Sequence, residues 1–453
     1  MNLSTYFGDR DFLRRALTIA LPIMLQELLI SSFSLVDTLM IGQLGSNALA
    51  AVGYGASWNS LINVLVFGLT SGSAIFFAQY WGAGDERGIH RAYGLALTAA
   101  ALVSLAAMLV TCLAPEWVLF LFTDDAAAAA EAIPYLRFVG LTYPAMALSM
   151  VVGTLLRSTE RVLLPLAGSL VGVATNIFLN YSLIYGHFGL PRLGIAGAAI
   201  GSAISGWVNL AVMLALGGLL RTLAIARPRD LFSFRADFIR GYFRISLPVL
   251  ANEALWGVGT MVLNMVYGHI GTDEFAALTA FRTIDSFTVT AFIALSHAAA
   301  AMVGKQVGAG DLDSAYREAR VFQCWTPVLG GVLTVLILAF RHPLAAIYAQ
   351  PPHVEAIIVG LMTVVSATYV VRYFPFIQIV GVFRGGGDTK TGAILDFIGV
   401  WVISIPLALV GGLWLDLPFL PIYGAIVLLD ALVKFIPGTI YFLSKKWIRP
   451  VTR

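Results

Sequence analysis

Long runs of residues without Asp, Glu, Lys or Arg are the feature that most constrains how this chain can fold. The clearest are Ala92–Pro115, Val162–Gly186, Leu193–Leu220, Val321–Phe340 and Phe397–Leu415. A helix needs about 20 apolar residues to cross the hydrocarbon core of a bilayer. Only 12% of the chain is charged, against about 25% in soluble domains. Barrel strands would read as segments of about 10 residues with alternating polarity, which this sequence lacks. The fold class is therefore an all-α integral membrane protein.

Apolar segments between clusters of Gly, Pro and charged residues predict twelve membrane-spanning helices. Their expected bounds are 14–41, 47–80, 92–114, 131–157, 163–186, 194–220, 242–268, 275–304, 317–341, 354–383, 390–415 and 420–446. The number of spans is even, so both termini are expected on the same side of the membrane. The polar start of the chain lacks the small-residue cleavage site of a signal peptide, so we expect the first helix to stay in the mature protein.

The distribution of positive charge predicts the orientation. Most of the 28 Lys and Arg residues fall in the terminal segments and in alternate connections, whereas the opposite connections hold only Arg192 and Arg341. The positive-inside rule then places both termini and the Arg-rich linker in the cytoplasm, in a multi-pass inner-membrane protein. The formal net charge of +3 follows from this topology, so a nucleic-acid partner is not needed to explain it.

The second half of the chain repeats the first. Leu21-Pro22 recurs 226 residues later as Leu247-Pro248, and Gly82-Ala83-Gly84-Asp85 recurs at the same offset as Gly308-Ala309-Gly310-Asp311. Copies with an even number of spans run in the same topology, related by an axis along the membrane normal. We therefore expect an amino-terminal lobe of six helices over 1–220, a cytoplasmic linker over 221–241 and a carboxy-terminal lobe over 242–453. Such lobes can rock against each other to give alternating access to a cleft between them.

These residues resemble the multidrug and toxic compound extrusion (MATE) transporters over nearly the whole chain. The order and doubling of the motifs carry the resemblance, since no single motif is specific. The motifs are Leu21-Pro22, Leu35–Gly42, Leu44-Gly45 with Ala48–Gly53, Gly82–Asp85, Leu156–Thr159 and Arg384–Thr389. The resemblance implies two six-helix bundles around a central cleft. It also implies export of cationic or amphipathic organic compounds, driven by inward H⁺ or Na⁺.

The resemblance also implies a cation or proton site in the first lobe. Asp37 stands at the family's position for a cation-binding carboxylate, with Asn176, Asn180 and Ser202 at the positions of its polar partners on the fifth and sixth helices. Many relatives have an aspartate where this chain has Asn180. A site with one carboxylate attracts Na⁺ less strongly, which favours H⁺, although Na⁺ at Asp37, Asn176 and Asn180 stays open. The alternative is a structural carboxylate near the outer rim, with amides and a hydroxyl that bond across helices.

Other charges within the spans are functional candidates because burying a charge in a bilayer is costly. Glu27 and Glu253 each stand five residues after a helix proline, and Glu253 matches a coupling acid in the second lobe of some family members. The alternative is that a neighbouring Tyr or amide simply holds each carboxylate. Asp285 could pair with Arg282 at i,i+3 or serve the substrate cavity.

Two further charges are expected to form a neutralised pair. Asp430 and Lys434 have the i,i+4 spacing of an ion pair on one helix, with Asp396 as a third member. Arg372 has no counter-ion near it in the sequence, so one of the intramembrane acids is expected to serve it.

Flat cations stack on aromatic rings. Several large side chains are therefore candidates for lining the substrate cavity, in addition to Glu27 and Asp285. The alternative for each is packing or contact with lipid. Those predicted to line the cavity are Met24, Trp256 and Met261, with Trp58, Met265 and Phe287 as further candidates.

An enzyme, an ATP-driven pump and a channel would each require a recognisable sequence motif. The six histidines form no H-E-x-x-H pair, and no G-x-S-x-G or P-loop motif is present, so we expect neither an enzyme nor an ATP-driven pump and no cofactor beyond the coupling ion. A channel would also suit the repeat, but no filter-like signature is present. A lipid-linked oligosaccharide or lipid flippase of the same superfamily and a carrier of the major facilitator type remain alternatives. We expect a monomer in the lipid bilayer that binds small organic substrates.

Overall fold

A computed structural model describes residues 7–44, 46–120, 126–233, 235–348 and 350–452. The description leaves out the side chains at 33–35, 38–39, 42, 46–50 and 126–131, so much of the motif around Asp37, including Leu35, Thr38 and Leu39, lies outside the described side chains. The described chain is helical, and within it the only strand-type pairing is an isolated antiparallel bridge between Gly387 and Ile448.

In the described part of the first half, the elements that can be assigned are nine helices, of which six are long. They are α1 (Arg10–Gly42), α2 (Ser46–Ala83), α3 (Glu86–Leu113), α4 (Pro115–Phe120), α5 (Ala126–Val139), α6 (Thr142–Ser158), α7 (Leu163–Tyr185), α8 (Ile195–Leu219) and α9 (Pro228–Leu231). The predicted span 131–157 is made by α5 and α6 together, and the short α9 lies in the linker.

The second half contains long helices and three wider π-helical segments. The order is α10 (Ala236–Ile270), α11 (Thr272–Gly308), α12 (Leu312–Ala346), α13 (Pro352–Ala367), α14 (Tyr369–Phe376), π1 (Ile377–Phe383), α15 (Lys390–Phe397), π2 (Ile398–Ser404), α16 (Ile405–Leu407), π3 (Ala408–Trp414) and α17 (Phe419–Leu443). The span that ends in π1 bends by 58° at Thr368.

Among the described residues, ten helices are long and apolar enough to cross a membrane, or eleven if the bent pair counts as one span. The 33-residue helix α1 makes the twelfth. The prediction of an all-α membrane protein with twelve spans is confirmed, and the observed helices extend the predicted ones by a few residues at many ends.

By internal packing the chain divides into two compact units. An amino-terminal unit contains Leu21–Phe77 and Asp85–Ser246, and a carboxy-terminal unit contains Ala78–Gly84, Leu247–Arg453 and the segment that ends at Ala20. The lobes expected from the sequence have other limits. They place the residues up to Ala20 and Ala78–Gly84 in the amino-terminal lobe, whereas these segments pack in the carboxy-terminal unit. They also separate the linker from both lobes, whereas the amino-terminal unit continues to Ser246. Packing within one structure does not tell which residues move together during transport. The lobes over 1–220 and 242–453 therefore stay a prediction.

Specific contacts explain why residues before Ala20 belong to the carboxy-terminal unit. Arg15 pairs with Glu318 at 3.2 Å, and the Trp325 indole donates to the Phe7 carbonyl at 3.1 Å. The Phe12 ring packs edge-on against Phe322 at 5.2 Å. The first turns of α1 are thus held by α12.

The repeated Gly-Ala-Gly-Asp motif ends one helix and begins the next. Gly84 and Gly310 have φ values of +68° and +81°, a left-handed conformation that strains any residue with a Cβ. Asp85 and Asp311 then cap α3 and α12, each accepting a backbone hydrogen bond at 2.9 and 3.0 Å. Hydrogen bonds from Ser314 hold the pKa of the Asp311 carboxyl below its usual value. The motif therefore encodes a tight helix-to-helix connection.

Candidate functional site

The residues predicted to form the first-lobe site come together inside the amino-terminal unit. Asn180 donates a hydrogen bond from Nδ2 to the Asp37 carboxylate at 2.5 Å. Asn176, one turn earlier on α7, donates to the hydroxyls of Ser202 and Ser205, both at 3.2 Å. Helices α1, α7 and α8 thus supply one carboxylate, two amides and two hydroxyls. Ser205 was not predicted, although it follows Ser202 at i,i+3 on the same side of α8.

Small residues allow this cluster to form. A Cβ on Gly201 would lie 2.3 Å from the Asn180 Oδ1 atom, so only glycine leaves room for that amide against α8. Asn176 and Asn180 are 2% and 0% exposed. Close helix packing through small residues is how polar groups on neighbouring membrane helices reach each other.

The charge of Asp37 sets the orientation of the Asn180 amide. Asn180 must point its amino group at Asp37, because an ionised carboxylate only accepts hydrogen bonds, so its oxygen points elsewhere. The buried Oδ1 atoms of Asn176 and Asn180 have no hydrogen-bond donor among the described residues. Amide and carboxylate oxygens are hard ligands of the kind that Na⁺ takes, but the Asn180 oxygen points away from Asp37 in the observed orientation, whereas Asp37 alone of these side chains can take a proton.

Glu27 lies close to the positive charge of Arg157. By sequence this arginine belongs with the cations of a connection between two spans. Arg157, near the end of α6, is within coulombic range of Glu27. Its guanidinium also donates to Thr154 at 3.3 Å and to the Gln26 side chain at 3.4 Å. Gln26 in turn donates to Ser169 at 2.8 Å. Glu27 is therefore part of a polar network, and Arg157 and Gln26 are members that the sequence did not single out.

Glu253 forms the corresponding contact in the carboxy-terminal unit. Arg384 donates to its carboxylate at 2.7 Å, and the two side chains are 7% and 15% exposed. The neighbouring Asn252 donates to Asp396 at 3.0 Å, just as Gln26 donates to Ser169. The repeat carries a signal for this pairing, because the motifs that contain Arg157 and Arg384 fall at nearly equivalent positions in the two halves.

Lys434, Asp430 and Asp396 form a second charged cluster, which confirms the predicted pair of Asp430 and Lys434. Lys434 Nζ lies 3.0 Å from an Asp430 oxygen and 3.3 Å from an Asp396 oxygen. A Cβ on Gly399, in π2, would lie 2.2 Å from Asp430 Oδ1, so glycine makes room for the pair. Two carboxylates share one ammonium here, which keeps one net negative charge within the bundle.

Asp285 pairs with Arg372, and the possible pairing with Arg282 is wrong. Arg372 and Tyr369 on α14 both donate to the Asp285 carboxylate, at 3.1 and 2.7 Å. Arg282 instead donates to Asn264 at 2.5 Å. The sequence predicts an intramembrane acid as the counter-ion of Arg372, and Asp285 is that acid.

The aromatic and methionine candidates do not form one cluster within either unit. Met24 and Trp58 belong to the amino-terminal unit, where the Trp58 indole donates to Thr111 at 2.8 Å. Trp256 and Met261 belong to the carboxy-terminal unit and are 50% and 60% exposed, and Met265 and Phe287 are also exposed. Their contact with substrate stays a prediction.

A duplicated set of membrane-spanning helices with carboxylates held inside the spans is typical of a membrane transport protein. The sequence model of the MatE family matches residues 22–182 and, a second time, residues 248–410. The chain therefore belongs to the MATE transporter family, as its motifs predicted, and the two matches coincide with its internal repeat.

Several relatives resemble the chain over most of its length. The multidrug resistance protein PmpM of Pseudomonas aeruginosa is 29% identical, over 92% of this chain and 88% of its own. The probable multidrug resistance protein NorM of Deinococcus radiodurans is 28% identical, over 87% of each chain. The uncharacterized transporter YisQ of Bacillus subtilis is 23% identical, over 98% of this chain and 93% of its own.

Solved structures show the same fold. A mutant of the Vibrio cholerae MATE transporter VcmN superposes with a TM-score of 0.87 at 18% identity, covering 99% of this chain and 100% of that one. A multidrug resistance MATE transporter in an outward-facing conformation superposes with a TM-score of 0.85 at 18% identity, over 98% of each chain. Neither match favours the major facilitator alternative.

Proposed function

We propose that this protein exports organic cationic or amphipathic compounds in exchange for H⁺ and that Asp37 binds the coupling ion. The observation that carries the proposal is the buried cluster in which Asp37 accepts from Asn180 at 2.5 Å. Family membership supports transport, and relatives named multidrug resistance proteins support organic compounds as cargo. The flippase alternative gains no support from these relatives.

The cluster links the charge of Asp37 to the contact between two helices. A hydrogen bond to an ionised carboxylate is roughly twice as strong as a neutral one, so protonation of Asp37 weakens the attachment of α1 to α7. Pro22 lies inside α1 and removes a backbone hydrogen bond there, which lets the helix bend. Proton binding would thereby favour a different bend of α1, and alternation of that bend would open the substrate path to opposite sides.

Asp37 is a better candidate for the coupling group than Glu253. The Glu253 carboxylate is already neutralised by Arg384 at 2.7 Å, and Asp285 by Arg372. Among the described residues Asp37 accepts only from an amide, and such a carboxylate can gain and lose a proton without leaving a cation unpaired. The coupling role of Glu253 stays a prediction, as do the cavity roles of Glu27 and Asp285.

Efflux from proteoliposomes tests the proposal. We expect ethidium efflux that follows an imposed pH gradient in the wild type and falls at least about tenfold in Asp37→Asn. Asp313→Asn removes an exposed carboxylate in the first turn of α12 and should transport normally. Efflux unchanged in Asp37→Asn, or absent in the wild type under both pH and Na⁺ gradients, would contradict the proposal.

Asn180→Asp separates the two ions in the same assay. A second carboxylate next to Asp37 raises the attraction for a hard cation, because two like charges this close favour a bound cation or proton between them. We expect efflux driven by a Na⁺ gradient to rise several-fold in this variant, roughly in line with the added charge. If the wild type already responds fully to Na⁺, the coupling ion is Na⁺, and Asn176 and Asn180 would supply its amide oxygens.

The remaining parts of the proposal concern placement and assembly. We infer a multi-pass inner-membrane protein with both termini in the cytoplasm, which the distribution of Lys and Arg supports. Two homologous halves in one chain supply both sides of the transport path, so a monomer is sufficient for the function.

A further inference from the structure

A groove in the amino-terminal unit lies where three spanning helices meet the linker. Its volume is about 560 Å³, within the range of roughly 300–1,000 Å³ that small-molecule sites occupy. The walls are side chains of α3, α6 and α8, such as Leu97, Val152 and Leu210, and linker residues including Ala224 and Phe232 line the end near Tyr93, which is its mouth. The lining is therefore mostly apolar, and the hydroxyls among the lining residues are those of Tyr93 and Thr98.

Specific contacts hold the linker over this end. The Tyr93 hydroxyl donates to the Ala224 carbonyl at 3.4 Å. A Cβ on Gly94 would lie 2.0 Å from the Leu231 carbonyl oxygen, so only a glycine in α3 permits the linker to approach so closely. The mouth of the groove is thus a defined feature of the fold.

The linker residues that line the mouth of the groove belong to a segment with a high density of positive charge. It and the first turns of α10 contain six arginines, all exposed: Arg221, Arg227, Arg229, Arg235, Arg240 and Arg244. None of the six forms an ion pair with the residues that the structure describes. The buried Nε atom of Arg91, one turn before Gly94 on α3, also has no acceptor among these residues.

Two exposed apolar side chains directly precede Arg221, and two more lie between Arg221 and Arg235. Leu219, Leu220, Ile225 and Phe232 are 78%, 56%, 51% and 58% exposed. An arginine-rich segment with large apolar side chains is suited to the boundary between lipid headgroups and acyl chains. A linker of this kind at the membrane surface would put the mouth of the groove near the headgroups and the rest of it, along α3, α6 and α8, in the hydrocarbon.

We propose that this groove binds an anionic phospholipid, with an acyl chain along α3, α6 and α8 and the headgroup phosphate on the linker arginines. A phospholipid has an acyl chain that suits the apolar groove and a phosphate that suits the arginines of the adjacent linker. Basic clusters next to membrane helices attract anionic lipids, and the attraction grows with each Lys or Arg near the surface. The bound lipid would anchor the linker that joins the two halves of the repeat.

Native mass spectrometry of the detergent-solubilised full chain tests the proposal with two lipids of identical dioleoyl chains. We expect phosphatidylglycerol to bind roughly tenfold or more tightly than phosphatidylcholine. Arg227→Gln/Arg229→Gln/Arg235→Gln should remove this preference, and since the three side chains are exposed the variant should fold. The matched control Arg10→Gln/Arg14→Gln/Lys446→Gln removes three exposed cations elsewhere and should keep it.

A second pair of variants tests the groove itself. Ala101→Trp fills the groove, whereas Ala106→Trp places the same side chain on an exposed position of α3 outside it. We expect loss of phosphatidylglycerol binding only in Ala101→Trp. Equal binding of the two lipids, or phosphatidylglycerol binding that survives Ala101→Trp, would overturn the proposal. So would an Ala101→Trp variant that loses ethidium efflux but keeps the lipid, because the groove would then be a path for substrate.

Discussion

Arg384 and Glu253 form an ion pair from side chains that are 7% and 15% exposed. Removing one member of a buried pair leaves the other charge without a partner, which typically costs about 3–5 kcal/mol. We expect Arg384→Gln to lower the thermal unfolding midpoint of the purified protein strongly. The double variant Glu253→Gln/Arg384→Gln should lose much less, because no charge is then left unpaired.

The exposed pair between His353 and Asp273 is the matched control for this prediction. Its side chains are 62% and 58% exposed, and exposed pairs contribute about 0–1 kcal/mol. Asp273→Asn should therefore change the midpoint little. Similar losses in Arg384→Gln and Asp273→Asn would show that the buried pair is not a stability determinant.

At the scale of elements, α2 and α11 cross at the two glycines that begin the repeated motif. A Cβ on Gly82 would lie 1.8 Å from the Lys305 carbonyl oxygen, and a Cβ on Gly308 would lie 1.8 Å from the Gln79 carbonyl oxygen. Gln79 and Lys305 are themselves equivalent in the repeat, so the crossing is nearly symmetric. Gln79 also donates to the Gly385 carbonyl at 3.0 Å, which explains why Ala78–Gly84 packs with the second half.

This crossing predicts that each glycine is required for stability. We expect Gly82→Ala and Gly308→Ala each to destabilise the protein by about 1–3 kcal/mol, because overpacking forces the two backbones apart. Gly331 in α12 has open space around its Cα, so Gly331→Ala should be neutral or slightly stabilising. Denaturation monitored by circular dichroism measures all three. Unchanged stability in both Gly82→Ala and Gly308→Ala would mean that the helices can separate at no cost.

At the scale of the whole molecule, the distribution of Lys and Arg predicts the orientation in the membrane. With Cys112 and Cys324 replaced by Ala, single cysteines at Ser444 and Pro191 report opposite sides of the membrane. We expect a membrane-impermeant maleimide to label Pro191→Cys in intact spheroplasts and to label Ser444→Cys only after lysis, because the flanking cations keep the termini inside. The reverse labelling pattern would overturn the predicted topology.

The amino-acid sequence determined the features that depend on local composition and on spacing along one helix. Twelve spans followed from run length, because the thickness of the bilayer sets how many apolar residues a helix needs. The Asp430–Lys434 pair followed from i,i+4 spacing. The repeat and the motifs identified the family and brought Asp37, Asn176, Asn180 and Ser202 into one hypothesis, whose members the fold does place together.

Only the tertiary structure decided which charges on different helices are partners. Asp285 bonds to Arg372, 87 residues away, rather than to Arg282 three residues earlier. By sequence, Arg157 and Arg384 belong with the cations of the connections that follow two spans. In the structure each lies beside a glutamate on another helix. The physical reason is that helix packing brings these side chains within a few ångströms of each other, and separation along the chain carries no information about that distance.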